Sequence, residues 1–382
     1  MGGAPRAAIS MGAGRKEEAE KIMGNGFTVL LFLSVVLTGF FLYFNETLLL
    51  YFGASEKTLP YALDYMQIYT IGSLFVLLAL GMNPFISTQG FAKTSMLTVS
   101  IGAILNILLD PIFIYVLDMG VKGAALATII SQAVSAVWVL RFLTSEKSIL
   151  HLRKEHMLPS KRIILPMILL GISPFIMNAT ESLLMIVFNT SLQRYGGDLA
   201  VGAMTIMASA MQFAFLPLAG FSQGAQPIIS FNYGARNPER TREAFRYLLM
   251  GSVLYTAGFW TVLFFFPHLF ARLFTQNAPL VELTAKGLRI YLLGMIPMGV
   301  QVACQQTFIA LGRAKVSIFL ALLRKIILLI PLIYLLPLFL SDQVFAVWLA
   351  EPIADVLAAS TTAILFKKQF RMILSQYNSQ DA

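Results

Sequence analysis

Polar side chains are rare in the apolar segment 97–117, and two of them share one helical face. Asn106 and Asp110 are four positions apart, so on an α-helix they lie one above the other. A carboxylate near the middle of a membrane helix costs about 2.5–3.5 kcal/mol on insertion scales, so its presence there indicates a function. Pro111 follows at once and lacks a backbone N–H, which leaves a carbonyl one turn earlier without its helical donor. The pattern predicts an ion-binding site, with a packing role for Asp110 as the alternative.

The composition identifies the class of protein. The chain has 382 residues, of which 57% are hydrophobic and 12% are charged, whereas soluble domains carry about 25% charged residues. This balance predicts an all-α polytopic membrane protein. The formal charge of +9 does not indicate a nucleic-acid partner, because the basic residues lie in loops between apolar segments. We expect the lipid bilayer and small molecules, and no nucleic acid, as partners.

The sequence lacks the residues that several kinds of chemistry require. The single cysteine, Cys304, excludes an internal disulfide, and the three histidines have no metal-ligand spacing. The sequence also contains no GxSxG elbow and no Walker A lysine loop. We therefore expect no enzyme, no metal site and no cofactor.

Ten apolar segments are long enough to cross a bilayer. Lysine and arginine lie mostly in the loops on the side of the N-terminus, so both termini are expected to be cytoplasmic. Arg324 and Lys325 lie within a span, and we expect them to snorkel, with a position facing a cavity as the alternative. The predicted spans are 24–50, 61–86, 95–117, 123–143, 163–192, 199–229, 244–269, 287–311, 316–340 and 344–366.

The chain also repeats itself. FISTQGFAKTS resembles FIALGRAKVS, and GAPRAAISMGAGRKEEAE resembles GAQPIISFNYGARNPERTREA, each pair about 220 residues apart at the same place in the span order. This arrangement predicts two six-helix bundles related by a parallel repeat, a partial lobe over residues 1–155 and a complete one over 156–382. Two helices precede the matching loop in the second half and none does in the first, so we expect an N-terminal truncation of two helices.

With a parallel repeat of this size, four segments resemble the multidrug and toxic compound extrusion (MATE) family. The likeness covers essentially the whole chain as helices three to twelve of the family's twelve. It implies cation-coupled export of organic compounds by alternating access. The four segments are GAQPIISFNYGARN (224–237), NPFISTQGFAKTSM (83–96), NILLDPIFI (106–114) and GVKGAALATIISQ (120–132).

The resemblance also implies a set of site residues. Asn106 and Asp110 match a cation-coupling pair on the family's fifth helix, Thr128 matches a threonine on the sixth, and Glu181 matches an acid on the seventh. The tenth helix, where some members carry an acid, has only glutamines here: Gln301, Gln305 and Gln306. The coupling ion is therefore H+ or Na+, and the missing acid favours H+.

Substrate contacts are predicted from side-chain chemistry. Met207, Met211, Gln212 and Phe215 follow one helical segment, and adaptable methionines with aromatic rings suit lipophilic cations. Helix packing is the alternative for this stripe. Asn178 lies one turn before Glu181 and is a candidate partner for it at the substrate site.

The GAQPIISFNYGARN segment is not expected to bind substrate. Its residues Gly224, Pro227 and Gly234 predict a helix end and a turn, with Arg236 and Arg240 at the cytoplasmic surface.

These observations predict a monomeric antiporter that exports cationic amphipathic drugs across the cytoplasmic membrane. The first alternative is a lipid-linked oligosaccharide flippase of the same superfamily, which should have several free basic side chains in its cavity. The second is a non-transporting truncated fragment, which an upstream continuation of the reading frame would argue against.

Overall fold

The computed structural model describes residues 2–375, and within that range it is helical, with no β-strand. The chain forms two compact units, one that spans Gly3–Ile168 and a second that begins at Leu169. An all-helical structure is expected, because helices satisfy their backbone hydrogen bonds within one apolar segment. The predicted all-α polytopic class is therefore confirmed. The division into lobes at residues 155 and 156 stays a prediction.

The N-terminal unit consists of six helices, joined by short turns, and of the start of a seventh. A π-helical turn, Ile112–Val116, extends α5, and a 3₁₀ turn, Lys154–Met157, lies in the segment after α6. The helices are α1 (Gly3–Gly12), α2 (Lys16–Tyr51), α3 (Leu59–Ile71), α4 (Ser73–Thr88), α5 (Ala92–Pro111) and α6 (Gly120–Leu143).

Most of the helix that follows, and seven more, belong to the C-terminal unit. A 3₁₀ turn, Leu292–Gly294, joins α10 to α11, and a π-helical segment, Leu323–Leu329, joins α12 to α13. The helices are α7 (Lys161–Gly234), α8 (Pro238–Phe265), α9 (Pro267–Arg272), α10 (Ala278–Tyr291), α11 (Met295–Ala310), α12 (Ala314–Leu322), α13 (Ile330–Phe339) and α14 (Gln343–Ser375).

The described helices provide ten segments that are long enough to cross a bilayer. Eight described helical stretches are long and apolar enough to cross a bilayer, and α3 with α4 forms one further span that bends by 52°. The 74 residues of α7 would extend about 110 Å as one straight helix, far beyond a bilayer. Its backbone breaks at Gly197, where φ is +61° and ψ is −160°. Because such a conformation suits glycine, Gly197 divides α7 into the two predicted spans.

The predicted helix end and turn lie at Gly234, where α7 ends, whereas Gly224 and Pro227 were wrongly predicted to end the helix and lie inside it. A proline removes only one hydrogen bond from a long membrane helix, and neighbouring groups compensate for that loss. The chain then turns through Arg236, whose φ is +54°, and the Asn237 side chain accepts a hydrogen bond from the N–H of Arg240 at the start of α8.

The segment between α6 and α7 is fastened to the N-terminal unit by buried polar side chains. The side-chain Oε1 of Gln89 accepts hydrogen bonds from the Ser148 hydroxyl at 3.0 Å and from the backbone N–H of Ile149 at 2.6 Å and of Leu150 at 2.9 Å. Glu20 in α2, which is buried, accepts from the N–H of His151 at 3.0 Å. These bonds supply the partners that a buried loop backbone needs.

Candidate functional site

In the N-terminal unit, the structure brings Asn106, Asp110 and Thr128 together. The Asn106 amide donates to Asp110 Oδ1 at 3.2 Å and lies 3.5 Å from Thr128 Oγ1. All three side chains are half-buried. Asn106 and Asp110 meet because they are one turn apart on α5, and Thr128 joins them because α6 packs along α5. Among the described residues, no basic side chain forms an ion pair with Asp110.

A cavity of about 150 Å³ is lined by two of these residues, Asn106 and Thr128, and is large enough to hold water. Hydroxyl and amide groups from α5 and α6 form its polar wall. The lining residues are Ala79, Leu80, Thr98, Val99, Gly102, Ala103, Asn106, Thr128, Ser131, Gln132 and Ser135.

The helix that carries Asp110 changes from α-helical to π-helical winding directly after this residue. Pro111 is the last residue of α5, and the π-helical turn Ile112–Val116 follows. The N–H of Leu117 donates to the carbonyl of Ile112 at 2.9 Å, which is the wider π-helical ring. Proline and π-turns are the usual causes of bends in membrane helices, and π-turns are frequent at functional sites.

In the C-terminal unit, Glu181 has a different partner from the one expected. Asn178 donates to the carbonyl of Pro174 within its own helix, whereas the ammonium of Lys325 forms an ion pair with Glu181. The same ammonium donates to the carbonyl of Met177 at 2.6 Å. The Lys325 side chain is 5% exposed and that of Glu181 is 62% exposed. Lys325 therefore does not snorkel to a membrane surface but links the π-helical segment to α7.

Arg324 is also buried and binds two acids that sequence reasoning did not single out. Its Nε lies 2.5 Å from Asp355 Oδ1, and one of its terminal nitrogens lies 2.9 Å from Glu351 Oε1. Glu351 and Asp355 are one turn apart on α14 and are 6% and 1% exposed. The guanidinium fork spans both carboxylates, a geometry that arginine can form and lysine cannot. Snorkelling, the expected behaviour of Arg324, is wrong for this residue as well.

Close packing holds these acids in place. A Cβ added at Gly294 would lie 2.7 Å from Asp355 Cβ and 2.9 Å from Pro352 Cα, so only glycine permits this approach of α14 to the turn before α11. The π-helical segment Leu323–Leu329 presents Arg324 and Lys325 to different helices, α14 and α7. A signal for the acids existed in the sequence: Glu351, Pro352 and Asp355 place two carboxylates four apart beside a proline within a span.

The predicted substrate residues differ in burial, and their role stays a prediction. Met207 is fully buried in the core of the C-terminal unit, where Gly287 leaves room for its sulfur, so it packs as the alternative interpretation expects. Met211 and Phe215 are partly buried against the same core. Gln212 and Asn178 are exposed.

In residues 2–375, no group of three His, Cys, Asp or Glu side chains is arranged to hold a metal ion.

Comparison with known proteins defines a membrane-transporter fold. A crystal structure of MATE in the bent conformation aligns with 99% of this chain and 84% of its own, with a TM-score of 0.93 and 22% identity. A MOP superfamily transporter from Pyrococcus furiosus aligns with 97% of this chain and 83% of its own, with a TM-score of 0.91 and 22% identity. At this identity the likeness establishes the fold.

The MatE family model matches residues 1–112 and 174–335. Multidrug export protein MepA of Staphylococcus saprophyticus is 24% identical over 353 residues, which are 92% of this chain and 78% of the relative. MepA of Staphylococcus haemolyticus is 26% identical over 306 residues, which are 80% and 67% of the two chains. The chain belongs to the MATE family of efflux transporters, as the motifs predicted, and members of this family are transporters rather than enzymes.

Proposed function

We propose that this chain exports small organic cations across the cytoplasmic membrane in exchange for a coupling cation, H+ or Na+, by alternating access. The observation that carries the proposal is the half-buried Asp110 carboxylate, which accepts a hydrogen bond from Asn106, a residue that also lies 3.5 Å from Thr128 and lines a cavity with it. The MepA relatives, named as multidrug export proteins, support the substrate class.

Asp110 suits ion coupling for an electrostatic reason. A carboxylate inside a membrane segment without a basic partner is strongly stabilised by a cation, so it binds one more tightly in the conformation that buries it most. A ligand shifts a conformational equilibrium only through such differential affinity. The π-helical turn after Pro111 gives the helix a place to bend when the charge is neutralised.

The flippase alternative has less support. A cavity for a pyrophosphate-linked lipid needs basic side chains that are free to bind phosphate oxygens. Arg324 and Lys325, the two basic residues placed within one span, are each bound to carboxylates.

The test is extrusion of a fluorescent cationic dye, such as ethidium, by efflux-deficient bacteria that express the chain. Asp110→Asn should abolish extrusion while the amount of protein in the membrane stays the same, because the amide keeps the shape and the Asn106 contact but cannot bind a cation as an anion does.

The matched control is Asp118→Asn. Asp118 lies in the exposed turn before α6 with a φ of +51°, a conformation that asparagine tolerates well. This variant makes the same chemical change eight residues away and should extrude dye at the wild-type rate. Equal extrusion by Asp110→Asn and wild type would overturn the coupling role, and no extrusion by the wild-type chain would overturn the export function.

A further inference from the structure

A groove of about 470 Å³ runs between the last turns of α7 and the first turns of α8 in the C-terminal unit. The turn at Arg236 joins these two helices. Phe221, Ala225 and Ile228 recur on α7 at helical spacing, so one face of this helix forms an apolar wall. Phe221 is 46% exposed and Ile228 is 54% exposed, although both belong to a predicted membrane span. An exposed apolar face of this kind marks a contact with the membrane or with a partner.

Two side chains of opposite charge line the groove from α8. Arg240 and Glu243 are three positions apart, so they are neighbours on one helical face. In the part of the chain that the structure describes, neither forms an ion pair, and the Glu243 carboxylate accepts a hydrogen bond from the Tyr247 phenol at 3.3 Å. Both precede the predicted span 244–269, so they lie where hydrocarbon gives way to headgroups. A guanidinium and a carboxylate are therefore available to a ligand.

The remaining charged side chains at the start of α8 do not line the groove; they are Glu239, Arg242 and Arg246. At 3.6 residues per turn, Arg242 lies about 160° and Arg246 about 120° from Arg240 around the helix axis. The groove therefore presents one positive and one negative charge, although the helix start as a whole is basic. A ligand that carries both charges satisfies both groups, whereas an anion leaves the acid unpaired and a cation leaves the base unpaired.

The length of the groove matches one leaflet of a bilayer. Phe221 and Asn232 line it from positions that lie about 16 Å apart along α7 at the usual helical rise. Half of the hydrocarbon core of a bilayer is about 15 Å thick. A phospholipid headgroup at the charged end would therefore place an acyl chain along the apolar wall.

We propose that this groove binds one phosphatidylethanolamine molecule, with its phosphate on Arg240 and its ammonium on Glu243. A guanidinium donates two parallel hydrogen bonds to phosphate oxygens, and an ammonium donates to a carboxylate. Residues three apart on a helix have Cβ atoms about 5–6 Å apart, and two carbons separate the charged groups of this headgroup, so both pairs form at once. Phosphatidylglycerol lacks the ammonium, and the ammonium of phosphatidylcholine has no N–H. The inference does not depend on the proposed export function.

The test is native mass spectrometry of the purified full-length chain in a nonionic detergent, with the three dioleoyl phospholipids supplied in equal amounts. We expect the wild-type chain to retain phosphatidylethanolamine at least threefold more than phosphatidylglycerol or phosphatidylcholine. Glu243→Gln keeps the shape of the side chain but loses its charge, so phosphatidylethanolamine and phosphatidylglycerol should bind equally. Arg240→Gln removes the phosphate partner, so binding of both lipids should fall at least fivefold.

The matched controls make the same chemical changes on the same helix outside the groove. Glu239→Gln and Arg242→Gln should keep the wild-type preference, since neither residue lines the groove. A wild-type chain that retains the three lipids equally, or a Glu243→Gln chain that still prefers phosphatidylethanolamine, would overturn the inference.

Two competitors test the identity of the occupant. Glycerophosphoethanolamine, which has the headgroup without acyl chains, should not displace the lipid, and displacement would show that the apolar wall plays no part. Tetraphenylphosphonium should not displace it either, and displacement would assign the groove to a cationic substrate instead. Dye extrusion by Glu243→Gln at the wild-type rate is compatible with the inference, because the lipid site and the export function are tested separately.

Discussion

The two units place polar residues on helices that the predicted repeat would pair, but they assemble opposite electrostatic environments. In the N-terminal unit, the span Ala92–Val116 contains a π-helical turn, and it meets α6 through Asn106, Asp110 and Thr128. In the C-terminal unit, the span Ala314–Phe339 also contains a π-helical segment, and it meets α14 through Arg324 and its two acids. One site holds an acid without a base, and the other contains its own bases.

This difference assigns ion capture to the N-terminal site and fold stability to the C-terminal ion pairs. An acid held only by an amide is costly to bury, but it is free to take a cation from solution. Acids paired with a buried arginine are largely satisfied within the fold, and breaking such a pair leaves an uncompensated charge. We therefore expect substitutions at the N-terminal site to affect transport first and substitutions at Arg324 to affect folding first.

The largest expected effect is that of Arg324→Met. It removes the base from Glu351 and Asp355 and should lower the free energy of unfolding by about 3–5 kcal/mol, the range for one partner lost from a buried pair. Thermal unfolding in detergent, followed by size-exclusion chromatography, measures this loss. Adding Glu351→Gln and Asp355→Asn to Arg324→Met should recover part of it. If Arg324→Met had the same melting temperature as Asp110→Asn, the contrast in stability between the two sites would be removed.

A smaller loss of stability is expected from Gly294→Ala. The new methyl group would approach Asp355 and the backbone of Pro352 to within 3 Å, and such overpacking costs about 1–3 kcal/mol. Gly251→Ala is the matched control, because a Cβ at Gly251 in α8 meets nothing within 4 Å, and alanine favours the helix. A Gly294→Ala chain as stable as Gly251→Ala would show that α14 does not depend on this close approach.

The smallest effect concerns the third member of the N-terminal site. Thr128→Val removes a hydroxyl that lies 3.5 Å from the Asn106 amide, a long contact, so dye export should fall several-fold without being lost. Thr205→Val serves as the control, since Thr205 is exposed and its hydroxyl donates only within its own helix. Export by Thr128→Val at the rate of Thr205→Val would restrict the site to Asn106 and Asp110.

Much of the architecture follows from local properties of the sequence. Apolar length predicts the ten spans, and the four-residue spacing of Asn106 and Asp110 predicts a shared helical face, because both depend only on helix geometry. The contact of these two side chains needs no knowledge of other helices. The break at Gly197 agrees with the predicted boundary between two spans.

The ion pairs could not be predicted in the same way. Whether Arg324 meets Glu351 and Asp355 depends on how the π-helical segment and α14 pack, and one residue of rotation would send its guanidinium elsewhere. The methionines had two consistent interpretations, and only the packing of α7 assigns Met207 to the core. Pro227 suggested a helix end because its local effect is known, whereas the long-range support for α7 is not visible in the sequence.

The most direct measurement is ion-driven dye transport by the purified chain in proteoliposomes. Ethidium movement is followed after an H+ gradient or a Na+ gradient is imposed, with wild type, Asp110→Asn and Asp118→Asn compared at equal protein content. We expect one of the two gradients to drive transport by wild type and by Asp118→Asn, which also identifies the coupling ion, and neither to drive it in Asp110→Asn. Gradient-driven transport by Asp110→Asn at the wild-type rate would contradict the assignment of the coupling site to Asp110.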